Sequence, residues 1–423
     1  MIKIVMEKLT SLLVRPPRME YDMSTLIGGS DGEFGLRVDG ARRRFFRKDF
    51  TLLNGRGIAF ECSHYVPLRA VEASICTGDA GRGPPLLPCV MYGEVHTRAP
   101  RRARRGPRTD RPTDRRREPA ARRYMHGNAG SRVDANPVVK LLLPMGITVL
   151  ALDFSGCGKS EGEYVSLGHF EQEDVRAAVR HLRSEGRTSL ISLWGRSMGA
   201  VTAVLYSATD PSVAGVVLDS PFSKLTSLML ELATRVRLSI GGYTIPALPA
   251  TIAGVALSAI RGSIRKRHAF DIDALDAEGA AAECYCPALF GHGDEDDFIV
   301  EEHSERIKAR WAGDSHMLTF SANHNSQRPS SWYRSAASFM SKILAVGVKE
   351  TESLFDFDRP AAAAIELPRS SGATAVPSPR EEGDRGGTRT RRARVRGGTR
   401  PRCGHSARTA GASTIPCSGT AAT

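Results

Sequence analysis

The 423-residue sequence predicts an α/β fold, a mostly parallel sheet with helices on both faces and a helical cap. Three observations predict it. Short apolar runs alternate with stretches of helical period between about residues 89 and 218. The hexapeptide Gly195-Arg196-Ser197-Met198-Gly199-Ala200 stands between an apolar run (190–194) and an alanine-rich stretch of helical spacing (200–208). An acidic turn and then a histidine-bearing loop each follow a later apolar run.

Taken in order, residues 1–46 read as an N-terminal arm that closes in Arg42-Arg43-Arg44-Phe45-Phe46. The first eight residues lack an uninterrupted apolar core and a cleavage site, so no secretory signal is expected, and the stretch to Leu13 reads as a short amphipathic helix. The main domain, 47–347, opens with an antiparallel hairpin, 50–53 and 57–65, turning at Asn54-Gly55. Cys89-Val90-Met91-Tyr92 begins the next strand. Strands at 148–153, 190–194 and 213–218 then alternate with helices at 170–185 and after Ser197. Residues 223–283 leave this rhythm. A helix at 224–236 precedes an uncharged run, 239–260, which is long enough to span a bilayer. Gly241, Gly242, Pro246 and Pro249 break the run and leave a short apolar helix at about 250–260. This region reads as a helical cap, with contact between the cap and a membrane or lipid chain as the alternative. Two further strands follow, near 287–291 and 317–320, before a tail at 348–423.

The formal charge of +13 suggests a nucleic-acid binder until its distribution is read. Residues 93–124 hold +8 of it and residues 366–423 hold +7, which leaves the rest at −2. Basicity is therefore confined to an Arg-rich insertion and a basic tail. Both are too poor in apolar residues to fold and are expected to be disordered. No basic face with interleaved aromatics is visible, so no specific nucleic-acid partner is expected. The insertion reads either as a solvated loop or as translated non-coding sequence. Eight cysteines show no C-x-x-C pair and no metal-ligand spacing. A reducing, cytoplasmic setting without metal or cofactor is the simplest expectation.

The chemistry centres on Ser197. A strand, a turn pinched by Gly195 and Gly199, and a helix form the arrangement that exposes a nucleophilic serine. A serine hydroxyl is a poor nucleophile at neutral pH and needs a base oriented by an acid. The acid comes from Gly293-Asp294-Glu295-Asp296-Asp297 and is assigned to Asp296, with Asp294 and Asp297 as neighbours that could exchange roles with it. Asp219, at the end of the run 213–218, is an acid candidate one strand earlier or else a cap for the next turn. The base is assigned to His324, in the loop Ser321-Ala322-Asn323-His324-Asn325-Ser326, whereas His292 reads as structural. An oxyanion needs two backbone donors. Met198 offers one, and Asn128 the other, from the glycine turn at Gly127 in Met125-His126-Gly127-Asn128-Ala129-Gly130. Gly156-Cys157-Gly158-Lys159-Ser160 imitates the end of a phosphate-binding loop, but Asp153 stands where that loop requires glycine.

The segments HGNAGSR, ALDFSGCGKSEGEYVSLG, WGRSMGA, LDSPF, GHGDEDDF and HNSQRP, in that order, resemble the α/β-hydrolase superfamily. They are most similar to its plant and protist branch of serine aminopeptidase-like or lysophospholipase-like hydrolases. RPPRMEYD and FRKDFTLLNGRGIAFECSHYVP fit the same branch, and the resemblance covers about residues 14–92 and 125–345. It implies the triad Ser197, Asp296 and His324, with oxyanion donors at Asn128 and Met198. The chain departs from the branch at 93–124, where the family runs nearly straight from strand to His-Gly turn. The expected activity is cleavage of a carboxylic ester, thioester or amide through an acyl-enzyme. Lipid or small acyl esters are expected ahead of N-terminal peptides, because an uncharged cap suits an acyl chain. A serine aminopeptidase-type peptidase, an inactive scaffold and a polyanion-associated protein stand as alternatives.

Overall fold

Apolar residues on both faces of a strand require cover on both sides, and the central strands of this chain are apolar at nearly every position. The computed structural model describes residue 14 and residues 18–29, 32–38, 40–68, 86–95, 130–235, 238–240, 243–245 and 248–345. In chain order its strands and helices are β1 (Gly32–Val38), β2 (Ala41–Leu53), β3 (Ala59–Pro67), β4 (Leu87–Val95), α1 (Asn136–Leu142), β5 (Thr148–Leu152), α2 (Glu171–Ser184), β6 (Thr188–Ser197), α3 (Met198–Ser207), β7 (Val213–Asp219), α4 (Leu225–Arg235), β8 (Leu238–Ile240), β9 (Tyr243–Ile245), α5 (Ala250–His268), α6 (Ala277–Ala280), β10 (Ala288–Gly293), α7 (Glu302–Arg310), β11 (Ser315–Phe320) and α8 (Ser330–Ile343).

The main sheet runs β1-β2-β3-β5-β4-β6-β7-β10-β11. Its first pairings, through β3 to β5, are antiparallel, and all pairings from β5 to β11 are parallel. Alternate residues divide between two cores. Met91, Leu150, Leu193, Leu218 and Phe290 face α2, α3 and the cap. Val90, Val149, Trp194, Val217 and Leu289 face α1 and α8. Strands buried on both faces explain why the sequence shows continuous apolar runs here. Strand order reverses at β5-β4-β6, so β4 and β6 lie side by side where the sheet changes direction. In open α/β sheets such a switch point, at the carboxyl ends of the strands, is where ligands bind.

The stretch to residue 46, read from sequence as an arm, carries β1 and the first part of β2. Phe34 pairs in register with Phe45, and their rings stand 5.8 Å apart. The strand pattern was hidden because β2 opens with four exposed residues, Ala41 to Arg44, which show no alternation. The expected hairpin β2–β3 is present, but its loop covers 54–58, since Leu53 pairs with Ala59. The Asn54 side chain accepts from the amides of Arg56 and Ile58, at 2.9 and 3.0 Å, and the positive φ (74°) falls on Gly57 instead of Gly55.

The cap region holds α4 and α5 with the short antiparallel hairpin β8–β9 between them, which the expectation of a helical cap did not include, and α5 extends to His268, eight residues past the expected end at 260. Uncharged composition stops at residue 260, but the buried stripe does not: Ile264 continues from Ala253 and Ile260. Arg261 then pairs with Asp271 through two bonds of 2.7 Å. Among the described residues no helix is long and apolar enough to cross a membrane. The imitation phosphate loop is a turn after β5, filled by its own carboxylate: Asp153 accepts the Lys159 amide at 3.0 Å. The expected disordered insertion and tail fall mostly or wholly outside the described residues; β4 runs to Val95.

Candidate active site

Ser197 ends β6 and Met198 begins α3, so the chain turns sharply at the serine. Ser197 has φ 53° and ψ −120°, a region that side chains rarely occupy. A Cβ on Gly195 would lie 2.2 Å from the Gly199 carbonyl oxygen, so only glycine permits the turn to close. As the first residue of α3, Met198 directs its N–H outward with no intrahelical partner. The helix N-terminus also favours negative charge at this point.

The acid lies on the turn after β10. Asp296 is buried, whereas Asp294 and Asp297 are exposed. One Asp296 oxygen accepts the amides of Phe298 and Ile299, at 3.1 and 2.9 Å. The other lies 2.6 Å from His324 Nδ1. That contact puts the imidazole hydrogen on Nδ1 and leaves Nε2 bare toward Ser197 Oγ, 3.2 Å away. Gly293 makes the approach feasible: a Cβ there would meet the Ala322 carbonyl oxygen at 2.1 Å. All three side chains are buried, and the Phe298 ring stands 5.1 Å from that of His324. Burial is the main force on the imidazole and pushes its pKa below the ordinary 6.5, Asp296 opposes it, and Arg196 and Arg328 add to it.

His292 lies beneath the acid. Its Nε2 donates to the Ile299 carbonyl at 2.8 Å and stands 3.6 Å from Asp296, while Nδ1 meets Ser304 Oγ at 2.7 Å. Its bonds brace the turn carrying Asp296. Asp219, weighed as an acid or a turn cap, leaves His324 Nδ1 to Asp296, and it accepts the hydroxyl of Ser220 in the turn after β7 at 3.0 Å. It takes a fork from Arg328, with Nε at 2.8 Å from one oxygen and Nη2 at 2.9 Å from the other. Sequence reading assigned no role to Arg196 or Arg328. The available signal was two arginines inside the motifs around Ser197 and His324.

Gly127 and Asn128 lie outside the described residues. The strand and turn that flank them are described. Val95, the last residue of β4, pairs in register with Ser197. The chain is anchored again at Ser131, which caps a short 3-10 turn, and at Arg132, whose amide donates to Asp153 at 2.7 Å.

A sheet of this order, with a strained serine at its switch point, defines the class: the α/β-hydrolase fold. A family model described as serine aminopeptidase, S33, matches residues 123–275. The chain is 27% identical over 215 residues to the uncharacterized protein YqkD of Bacillus subtilis (strain 168), a match covering 48% of this chain and 67% of that protein. It is also 27% identical over 203 residues to the α/β-hydrolase domain-containing protein WAV2 of Arabidopsis thaliana, covering 47% of this chain and 59% of the relative. Among solved structures, the esterase Pf2001 of Pyrococcus furiosus aligns with a TM-score of 0.48 at 17% identity, over 78% of this chain and 100% of that one. These matches support the α/β-hydrolase superfamily, and a hydrolase of that type, for this chain.

Proposed function

We propose that this chain cleaves a carboxylic ester, thioester or amide through an acyl-enzyme on Ser197. The single observation that carries the reading is the relay of bonds Ser197 Oγ to His324 Nε2 at 3.2 Å and His324 Nδ1 to Asp296 at 2.6 Å. In this reading His324 takes the Ser197 proton as Oγ attacks the carbonyl carbon, then gives it to the leaving group. Water repeats the sequence on the acyl-enzyme and frees the acid. Asp296 holds the imidazole tautomer and offsets its transient charge. The Met198 amide receives the oxyanion, with the Asn128 amide as the proposed second donor.

Lipid or small acyl esters are the favoured substrates. The cap segment 239–260 carries no charge, and apolar surface suits an acyl chain better than unpaired polar groups. The match to a serine aminopeptidase family model supports a second reading, an N-terminal peptidase. That reading needs a carboxylate for the substrate amine, and the two buried carboxylates nearest the relay already serve other partners: Asp296 holds His324 and Asp219 holds Arg328. A fluorophosphonate probe is expected to label the wild type and leave Ser197→Ala unlabelled, with ester turnover rising across a series of longer acyl chains. Equal labelling of both proteins would remove the proposal. Turnover of aminoacyl amides above that of every ester would favour the peptidase.

A further inference from the structure

Three buried charges at the site have no part in the relay. Asp219, Arg328 and Arg196 are 2%, 3% and 6% exposed. Asp219 ends β7, between the strand that carries Ser197 and the strand that leads to Asp296. Arg196 precedes Ser197 in β6, and Arg328 follows the His324 loop. The bonds of both arginines converge on that loop's backbone. Arg196 Nη2 donates to the carbonyls of His324 at 2.7 Å and Ser326 at 3.2 Å. Arg328 Nη1 donates to the carbonyl of Asn323 at 2.8 Å. Arg328 also grips Asp219 with its remaining nitrogens, and Arg196 Nε stands 3.8 Å from the same carboxylate.

The loop needs such an anchor. It follows β11, the edge strand among the described residues, so no described strand supports it on the outer side. Its internal bonds, such as Asn325 N to Asn323 Oδ1 at 3.0 Å, shape the loop without tying it to the serine. Stability is a poor account of the cluster. Buried ion pairs add little over well-packed apolar residues, because desolvation cancels most of the attraction. What guanidinium supplies, and an apolar side chain does not, is a rigid fork with several donors in fixed directions. Arg196 uses it to bond the backbone of the base from the residue next to the nucleophile.

We propose that Arg196 and Arg328, bridged by Asp219, are positioning residues that fix the His324 loop and so set the distance between base and nucleophile. The inference rests on the serine-hydrolase reading above. Arg328→Lys keeps the charge opposite Asp219, yet one ammonium cannot reproduce the two-nitrogen fork on that carboxylate together with a third nitrogen on the Asn323 carbonyl. Arg196→Met removes the link to the loop while Asp219 keeps its fork from Arg328. Displacement of a catalytic group by about 1 Å costs on the order of 10²-fold in rate. Each variant is therefore expected to lower the maximal rate of Ser197 labelling by a fluorophosphonate by about 10- to 100-fold, with little change in the half-saturating probe concentration.

The pH profile adds a readout of the charge that each arginine places beside the base. The charged or titratable groups around His324 are Asp296 and His292 from the β10 turn, Asp219 from β7, and Arg196 and Arg328. Losing the positive charge of Arg196 favours the imidazolium, so the acid limb of labelling in Arg196→Met is expected at higher pH than in wild type. Arg328→Lys keeps its charge and is expected to keep the limb in place. Wild-type labelling rates in both folded variants would overturn the inference and leave the hydrolase reading intact. Loss of folding in both would make the arginines fold determinants and overturn it equally. Absence of Ser197-dependent labelling in the wild type would instead count against the hydrolase reading.

Discussion

At the scale of single residues, the site holds strain where it holds chemistry. Ser197 has a backbone conformation (φ 53°, ψ −120°) that costs a side-chain-bearing residue on the order of 1–3 kcal/mol. Glycine would relieve that strain at the price of about 0.5–1 kcal/mol of extra chain entropy in the unfolded state. Ser197→Gly is therefore expected to melt above Ser197→Ala, since both lack the hydroxyl and only one relieves the backbone. Calorimetry of the two variants decides it, and an equal or lower melting temperature for the glycine variant would mean the turn is not strained. The sequence made the location of such a residue legible, because two glycines at fixed offsets flank it. It also narrowed the acid to three neighbouring aspartates and Asp219 one strand earlier; burial separates Asp296 from exposed Asp294 and Asp297, and the fork from Arg328 occupies Asp219. The arginine cluster was illegible for a plain reason. Arg328 and Arg196 find their partners 109 and 128 positions away, and no local pattern encodes a contact at that separation.

At the scale of elements, legibility followed periodicity. Strands buried on both faces and the amphipathic α2 stood out, whereas β1 and the start of β2 were masked by a run of arginines and α5 ran past the end of its uncharged stretch. How the cap is fastened was also not visible. Ser223, just before α4, donates through its amide and Oγ to His303 Nδ1, at 3.2 and 2.9 Å. Nδ1 is thus an acceptor, and His303 Nε2 donates to Glu231 of α4 at 3.2 Å. Arg306 reaches the other Glu231 oxygen at 3.3 Å. The cap helix α4 is in this way tied to α7 at a buried imidazole. Glu231→Ala leaves that Nε2–H without its acceptor and is expected to lower the unfolding free energy by about 1–2 kcal/mol. Urea titration measures it; an unchanged midpoint would mean that the buried Leu225 and Leu228 alone hold the helix.

At the scale of the whole molecule, buried histidines make the fold sensitive to acid. Burial pushes the pKa values of His169, His292, His303 and His324 below 6.5, and that of His64 down to about 4. Each of these imidazoles stays neutral in the fold at a pH where the unfolded chain already takes up a proton. Stability from this source is intact above pH 6.5 and falls as the pH drops below it. For partly buried His64 the loss is complete near pH 4 and amounts to at most about 3 kcal/mol. Two carboxyls act the other way. Burial raises Asp174 to about 6 and also raises Glu301, so the fold gains relative stability as these take up protons first. Asp174 offsets roughly one histidine of the size of His64, at about 3 kcal/mol. The remaining histidines then decide the sign. Urea unfolding followed from pH 7.5 to 5 is expected to show a steady decline in free energy, and His64→Gln is expected to make that decline shallower. Stability that held level or rose across this range would mean that the two raised carboxyls outweigh the buried imidazoles.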